Sequence, residues 1–88
     1  MKLIIAIVRD SVNDSVSSGL TTANFRVTYV ASTGGFLRRG HSTLLIGVED
    51  ERLDQALQII RENCGEPTGT GERRAVIFVL KVDQHVHF

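Results

Sequence analysis

The sequence predicts an α+β sandwich: four antiparallel strands with two helices on one face. Three observations carry this. Apolar patterns follow one another in the order strand, helix, strand, strand, helix, strand. The second helix carries a clear apolar stripe at helical spacing. A chain of 88 residues has room for one domain only, so residues 1–88 form a single domain.

Residues 3–8 form a continuous apolar, β-branched run that reads as a strand buried on both faces. Asp10 is placed to cap the helix that follows. Val12, Val16 and Leu20 draw one apolar line along that helix. Its other residues, among them Asn13, Ser15, Ser17, Ser18 and Gly19, disfavour helix, so packing must hold it. The second strand spans 25–31. In it Phe25, Val27 and Tyr29 point one way, and Asn24, Arg26 and Thr28 the other.

A glycine-punctuated loop, TGGFLRRG at 33–40, leads into a third strand at 42–48. Asp50 is expected to cap the second helix, whose apolar face is Leu53, Ala56, Leu57, Ile60 and Cys64. Gly65 stands where a left-handed C-cap belongs. A short polar loop at 66–73 precedes the last strand at 75–82, and a tail, DQHVHF, ends the sequence. The order βαββαβ is that of a ferredoxin-like sandwich. Two helices cover one sheet face only. Since the first and last strands are apolar at both parities, a second copy of the chain is expected on the open face.

Composition narrows the function. Formal charge is balanced, with 10 basic and 10 acidic residues and no basic stripe, so a nucleic-acid polymer is a poor partner. The one cysteine, Cys64, forms no disulfide framework and points to a reducing compartment; it reads as a small buried hydrophobe. The apolar start is short for a signal sequence and meets Arg9 and Asp10 at once. No apolar run approaches the ~20 residues needed to span a bilayer. A cytoplasmic protein without membrane insertion is expected.

Several stretches together resemble the PII-like cyclic-di-AMP receptor family. They are MKLIIAIV at 1–8, NFRVT at 24–28 and ASTGGFLR at 31–38, then Gly47-Val48 followed by 50–53, Cys64-Gly65, and Phe78-Val79-Leu80 with Val82-Asp83. The NFR-x-T and TGGFLR pieces are the specific ones. The resemblance implies a homotrimer of ferredoxin-like subunits with a nucleotide site in each cleft between neighbours. It implies no catalytic activity, no cofactor, and a downstream protein partner, unnamed here, that reads loop rearrangement. Carried over by position, the ligand contacts fall on Asn24, Arg26, Thr28, Gly35, Phe36, Leu37, Gly47 and Phe78. His41 stands where the family usually has Asn, and His87 where it usually has Gln. The family's long loop before the last strand is reduced here to 66–73.

The residue types suit such a ligand. Arg26 can offer a phosphate a planar fork of donors, while Asn24 and Thr28 can donate to and accept from a base edge. The plain alternative is a solvated polar face on an edge strand. The Gly34-Gly35 turn can bring backbone N–H groups to an anion, and Phe36 can stack on a base. The alternative there is a turn with one exposed Phe. Arg38 and Arg39 read as solvated charges, with phosphate steering as their other reading. His41, His85 and His87 have the chemistry of a three-histidine metal site, but ligand-facing or solvated imidazoles are the simpler reading, and no metal is expected. If the histidines line the pocket, binding depends on pH.

No activated nucleophile, carboxylate pair or metalloprotease motif is present. An acylphosphatase-like hydrolase would need the residue types of Arg26 and Asn24, but its loop motif is absent. RNA readers of this fold need aromatics on the first and third strands, which have none here. The expectation is a trimeric receptor for cyclic-di-AMP or a related adenine nucleotide. Its rival is a trimer that takes another small ligand, or none.

Overall fold

A computed structural model describes residues 1–30, 40–65 and 75–83. Strand β1 (Lys2–Arg9) leads through a single 3-10 turn (Asp10–Val12) into helix α1 (Asn13–Thr22). Strands β2 (Arg26–Val30) and β3 (His41–Val48) follow. A second 3-10 turn (Asp50–Arg52) opens helix α2 (Leu53–Asn63), and β4 (Ala75–Lys81) closes the order. The sheet runs β2-β3-β1-β4 and every pairing is antiparallel. This is the four-stranded, two-helix α+β architecture that the pattern predicts.

Side-chain alternation divides the sheet into two faces. On one, Ile4, Ala6, Val8, Leu44 and Ile46 are fully buried. They pack with Val16 and Leu20 of α1 and Ala56 and Ile60 of α2 into one core. The α2 stripe is therefore as predicted, with Leu53 and Leu57 at its margin. Helix α1 is held by contact rather than propensity. Its Gly19 lies so close to α2 that a Cβ there would stand 2.9 Å from Asn63 Nδ2. On the other face, Phe78 and Leu80 are about half exposed, at 51% and 47%.

Both helix entries differ from the expected capping. A 3-10 turn precedes each helix, which moves the cap position past the aspartate, and neither Asp10 nor Asp50 makes a capping bond. Asp10 instead accepts a hydrogen bond from the Ser42 hydroxyl, tying the end of β1 to β3. Asp50 pairs with the Met1 α-ammonium at 3.0 Å.

The helix exits share one solution. Gly65 follows α2 with φ of +88°, as its position predicts. Asn24 follows α1 with φ of +69°. The Phe25 N–H reaches Leu20 O and the Asn24 N–H reaches Thr21 O, both at 2.9 Å. This is a Schellman closure with Asn24 as its left-handed residue, and it brings Phe25 and Leu20, both buried, to the ends of one turn. Arg52, the last residue of the second 3-10 turn, locks this closure. Its Nη2 donates to Ala23 O at 2.7 Å while its guanidinium lies 4.0 Å from the Phe25 ring centre.

Candidate functional site

The register of the sheet builds the site. On the open face Arg26 of β2 lies opposite Gly47 of β3, and Gly47 lies opposite Leu3 of β1. The next row runs Thr28, Leu45, Ile5, Phe78. Directly opposed residues in such a ladder stand roughly 4.5–5.5 Å apart, so Arg26 and Thr28 project over Gly47 and Leu45. Gly47 has no side chain to fill its place in the first row. The result is a concavity of about 530 Å³ whose described lining includes Arg26, Thr28, Gly47, Leu3, Leu45, Val82 and Met1.

Its chemistry is two-sided. Leu3, Leu45, Val82 and Met1 give an apolar wall, Arg26 and Thr28 give hydrogen-bonding groups at one edge, and Lys2 adds a second cation to the lining. Among the described residues no carboxylate pairs with Arg26. A guanidinium held beside an apolar wall is suited to an anion joined to a flat, apolar group. The floor is stiff, because β3 is paired on both sides. A second hollow of about 500 Å³ lies further along the same face, lined by Ile5, Ile7, Val30, Thr43, Leu45, Phe78 and Leu80.

Of the residues singled out in the sequence, one chain thus brings Arg26, Thr28 and Gly47 together. Asn24 does not share their strand face, as alternation alone would have it. It precedes β2, in the left-handed turn that closes α1. Phe78 shares the open face but lies on the far edge strand, opposite Ile5. His41 opens β3 opposite Arg9, six residues from Gly47, which is about 20 Å along a strand. Gly35, Phe36, Leu37 and His87 lie outside the described residues, as does His85. Among the described residues no group of His, Cys, Asp and Glu is arranged to hold a metal ion. No helix among them is long and apolar enough to cross a membrane.

Met1, Leu3, Leu45 and Val82 are lining residues that sequence reasoning did not single out. Leu3 and Leu45 carried a usable signal: once β1 and β3 are neighbours, parity puts both on the open face. Val82 falls in the predicted last strand, where parity with Phe78 and Leu80 puts it on the open face; Met1 precedes its strand and carries no periodic signal.

Electrostatics add one feature beside Met1. The Asp50 carboxyl is held below its ordinary pKa, chiefly by its hydrogen bond from the Met1 α-ammonium. The charges of that ammonium, Lys2 and Lys81 act in the same direction.

Comparison with known proteins gives the family and a similar fold. Residues 1–70 match the family described as cyclic-di-AMP receptor. A solved structure of a functionally unknown protein from Pediococcus pentosaceus ATCC 25745 is similar throughout. It has 36% sequence identity and a TM-score of 0.77, over 99% of this chain and 96% of that one. The matched span takes in β1 to α2 and with them Leu3, Arg26, Thr28 and Gly47 of the concavity, and on this match the chain belongs to the cyclic-di-AMP receptor family.

Proposed function

We propose that the chain is a PII-like signalling protein that assembles as a homotrimer and binds cyclic-di-AMP in clefts between subunits, in the cytoplasm and without catalysing a reaction. One observation carries the reading: Arg26, Thr28 and Gly47, nominated by the resemblance, line one concavity on the uncovered sheet face. Membership of a receptor family supplies the ligand class. The half-exposed Phe78 and Leu80 supply a reason for a second copy to cover the same face.

In this reading Arg26 takes a phosphate, and Thr28 and the Gly35–Leu37 backbone read a base, with Phe36 packing on it. Phe78 and His41, distant from Arg26 within one chain, act on the site of a neighbouring subunit. His87 contributes from the tail, and Asn24 contributes through its side chain while its backbone closes α1. Occupancy is reported to a protein partner by loop rearrangement, with the short 66–73 loop in place of the family's longer one.

The test joins sedimentation with calorimetry, titrating cyclic-di-AMP, cyclic-di-GMP and ATP. The expected result is a trimer with saturable heat for cyclic-di-AMP and the weakest response to cyclic-di-GMP. A trimer preferring ATP gives a receptor for an adenine mononucleotide. A trimer silent to all three leaves a structural role, with sensing lost along with the loop. A stable monomer contradicts the proposal.

A further inference from the structure

We infer that Met1 is a ligand-contacting residue of this pocket, supplying the apolar wall against which the base of a nucleotide packs when its phosphate sits at Arg26. The inference rests on the reading above, that the concavity takes an adenine nucleotide.

Met1 is fixed by its backbone. Its α-ammonium lies 3.0 Å from Asp50 Oδ1, and its carbonyl accepts the Val82 N–H at 3.1 Å. The side chain is left to reach across the strand ends. Its Cε lies 3.2 Å from the point where a Cβ on Gly47 would stand. The methyl thus lies close beside Gly47, at the row that holds Arg26 and Leu3. Met1 is 38% exposed, so one side of the thioether packs on the protein and the other faces the concavity.

The chemistry fits an aromatic base. A thioether is polarizable, favours contact with aromatic rings, and adapts through three rotatable bonds. An anion bound at Arg26 would place its attached ring against the apolar wall of the same concavity, which Met1 shares with Leu3, Leu45 and Val82. A side chain at position 47 would crowd the Met1 methyl and push it from its position.

Position 1 can be varied without losing its ammonium, by cleaving a leader peptide from the assembled protein. Met1→Gly is expected to bind cyclic-di-AMP roughly tenfold more weakly, since it loses both apolar burial and the sulfur–ring contact. Met1→Leu should stay within about threefold, because it keeps the apolar bulk. Unliganded Met1→Gly should melt only slightly below the parent, since it loses part of the side-chain packing but keeps the Asp50 and Val82 contacts, which use backbone atoms of Met1. Met1 is the one methionine in the chain, so a carbon-labelled methionine methyl gives a single resonance. It should shift on saturation of the parent protein with cyclic-di-AMP. A Met1→Gly protein that binds as tightly as the parent overturns the inference and leaves the pocket's function intact. An unmoved methyl resonance in a saturated parent does the same. A parent that binds no cyclic-di-AMP removes both readings together.

Discussion

The two faces of the sheet are made by the same strands and differ in one respect, residue parity. Ile4, Ala6, Val8, Leu44 and Ile46 lie beneath the helices with no exposed surface. Their neighbours Leu3, Ile5, Ile7 and Leu45 point the other way and are only partly buried, while Phe78 and Leu80 on the edge strand stand half exposed. Both sets are apolar, so hydropathy alone does not separate them. What separates them is cover. The helices close one face, and that face supplies the stability of the single chain. Among the described residues nothing packs over the open face in the way the helices cover the other, and in the proposed function it receives a ligand and a second copy.

The largest effect to expect separates the faces by stability. Leu44→Ala empties a fully buried site and should cost about 3 kcal/mol in denaturant unfolding. Leu45→Ala, one residue along, should cost less than half as much. Equal losses would show the open face to be packed within one chain. Next comes the binding contrast. Arg26→Ala should weaken cyclic-di-AMP by about 2 kcal/mol, roughly thirtyfold, with fold stability unchanged. Calorimetry and melting on the same sample check both halves, and a variant that melts early would make Arg26 a structural residue.

A smaller effect sharpens the position of Asn24, which serves the fold as well as the proposed site. Asn24→Ala should destabilise by about 1 kcal/mol, because a Cβ without a compensating side chain is strained at positive φ. Asn24→Gly should keep the turn. If the Gly variant folds normally and still loses affinity, the side chain touches ligand. If it binds like the parent, Asn24 serves the helix end alone.

The smallest effect is electrostatic. Because the folded carboxyl of Asp50 has a lowered pKa, its ion pair contributes stability above the ordinary carboxylate range, and that contribution is lost as pH falls through the lowered value. Asp50→Asn should therefore be slightly less stable than the parent at neutral pH, and the two should converge in acid. A constant gap in urea midpoints across that range would mean that the pair is not what Asp50 supplies.

How much of this was legible in the sequence follows from what has a period. The βαββαβ order, the α2 stripe and the left-handed Gly65 could all be read, since each rests on alternation, helical spacing or a single-residue preference. The open apolar face was legible too, from residues 3–8 being apolar at both parities. Features without a period were not. Asn24 reads as a strand residue because alternation extends smoothly back from Arg26 and Thr28; the Schellman closure that claims it is visible only in its backbone bonds. Asp10 and Asp50 read as caps because a 3-10 entry looks like a helix start. For the site, Arg26 and Thr28 were legible as residue types. Their meeting with Gly47, Leu3 and Met1 depends on register, which no local pattern states.

In the proposed function the open face, in the row of Arg26 and Gly47, receives the ligand. Methyl-labelled protein titrated with cyclic-di-AMP tests it directly. Large shifts are expected at Leu3 and Leu45, with Ile4, Leu44 and Ile46 beneath the helices almost unmoved. Shifts concentrated on α1 and α2, or none at saturating ligand, would contradict it.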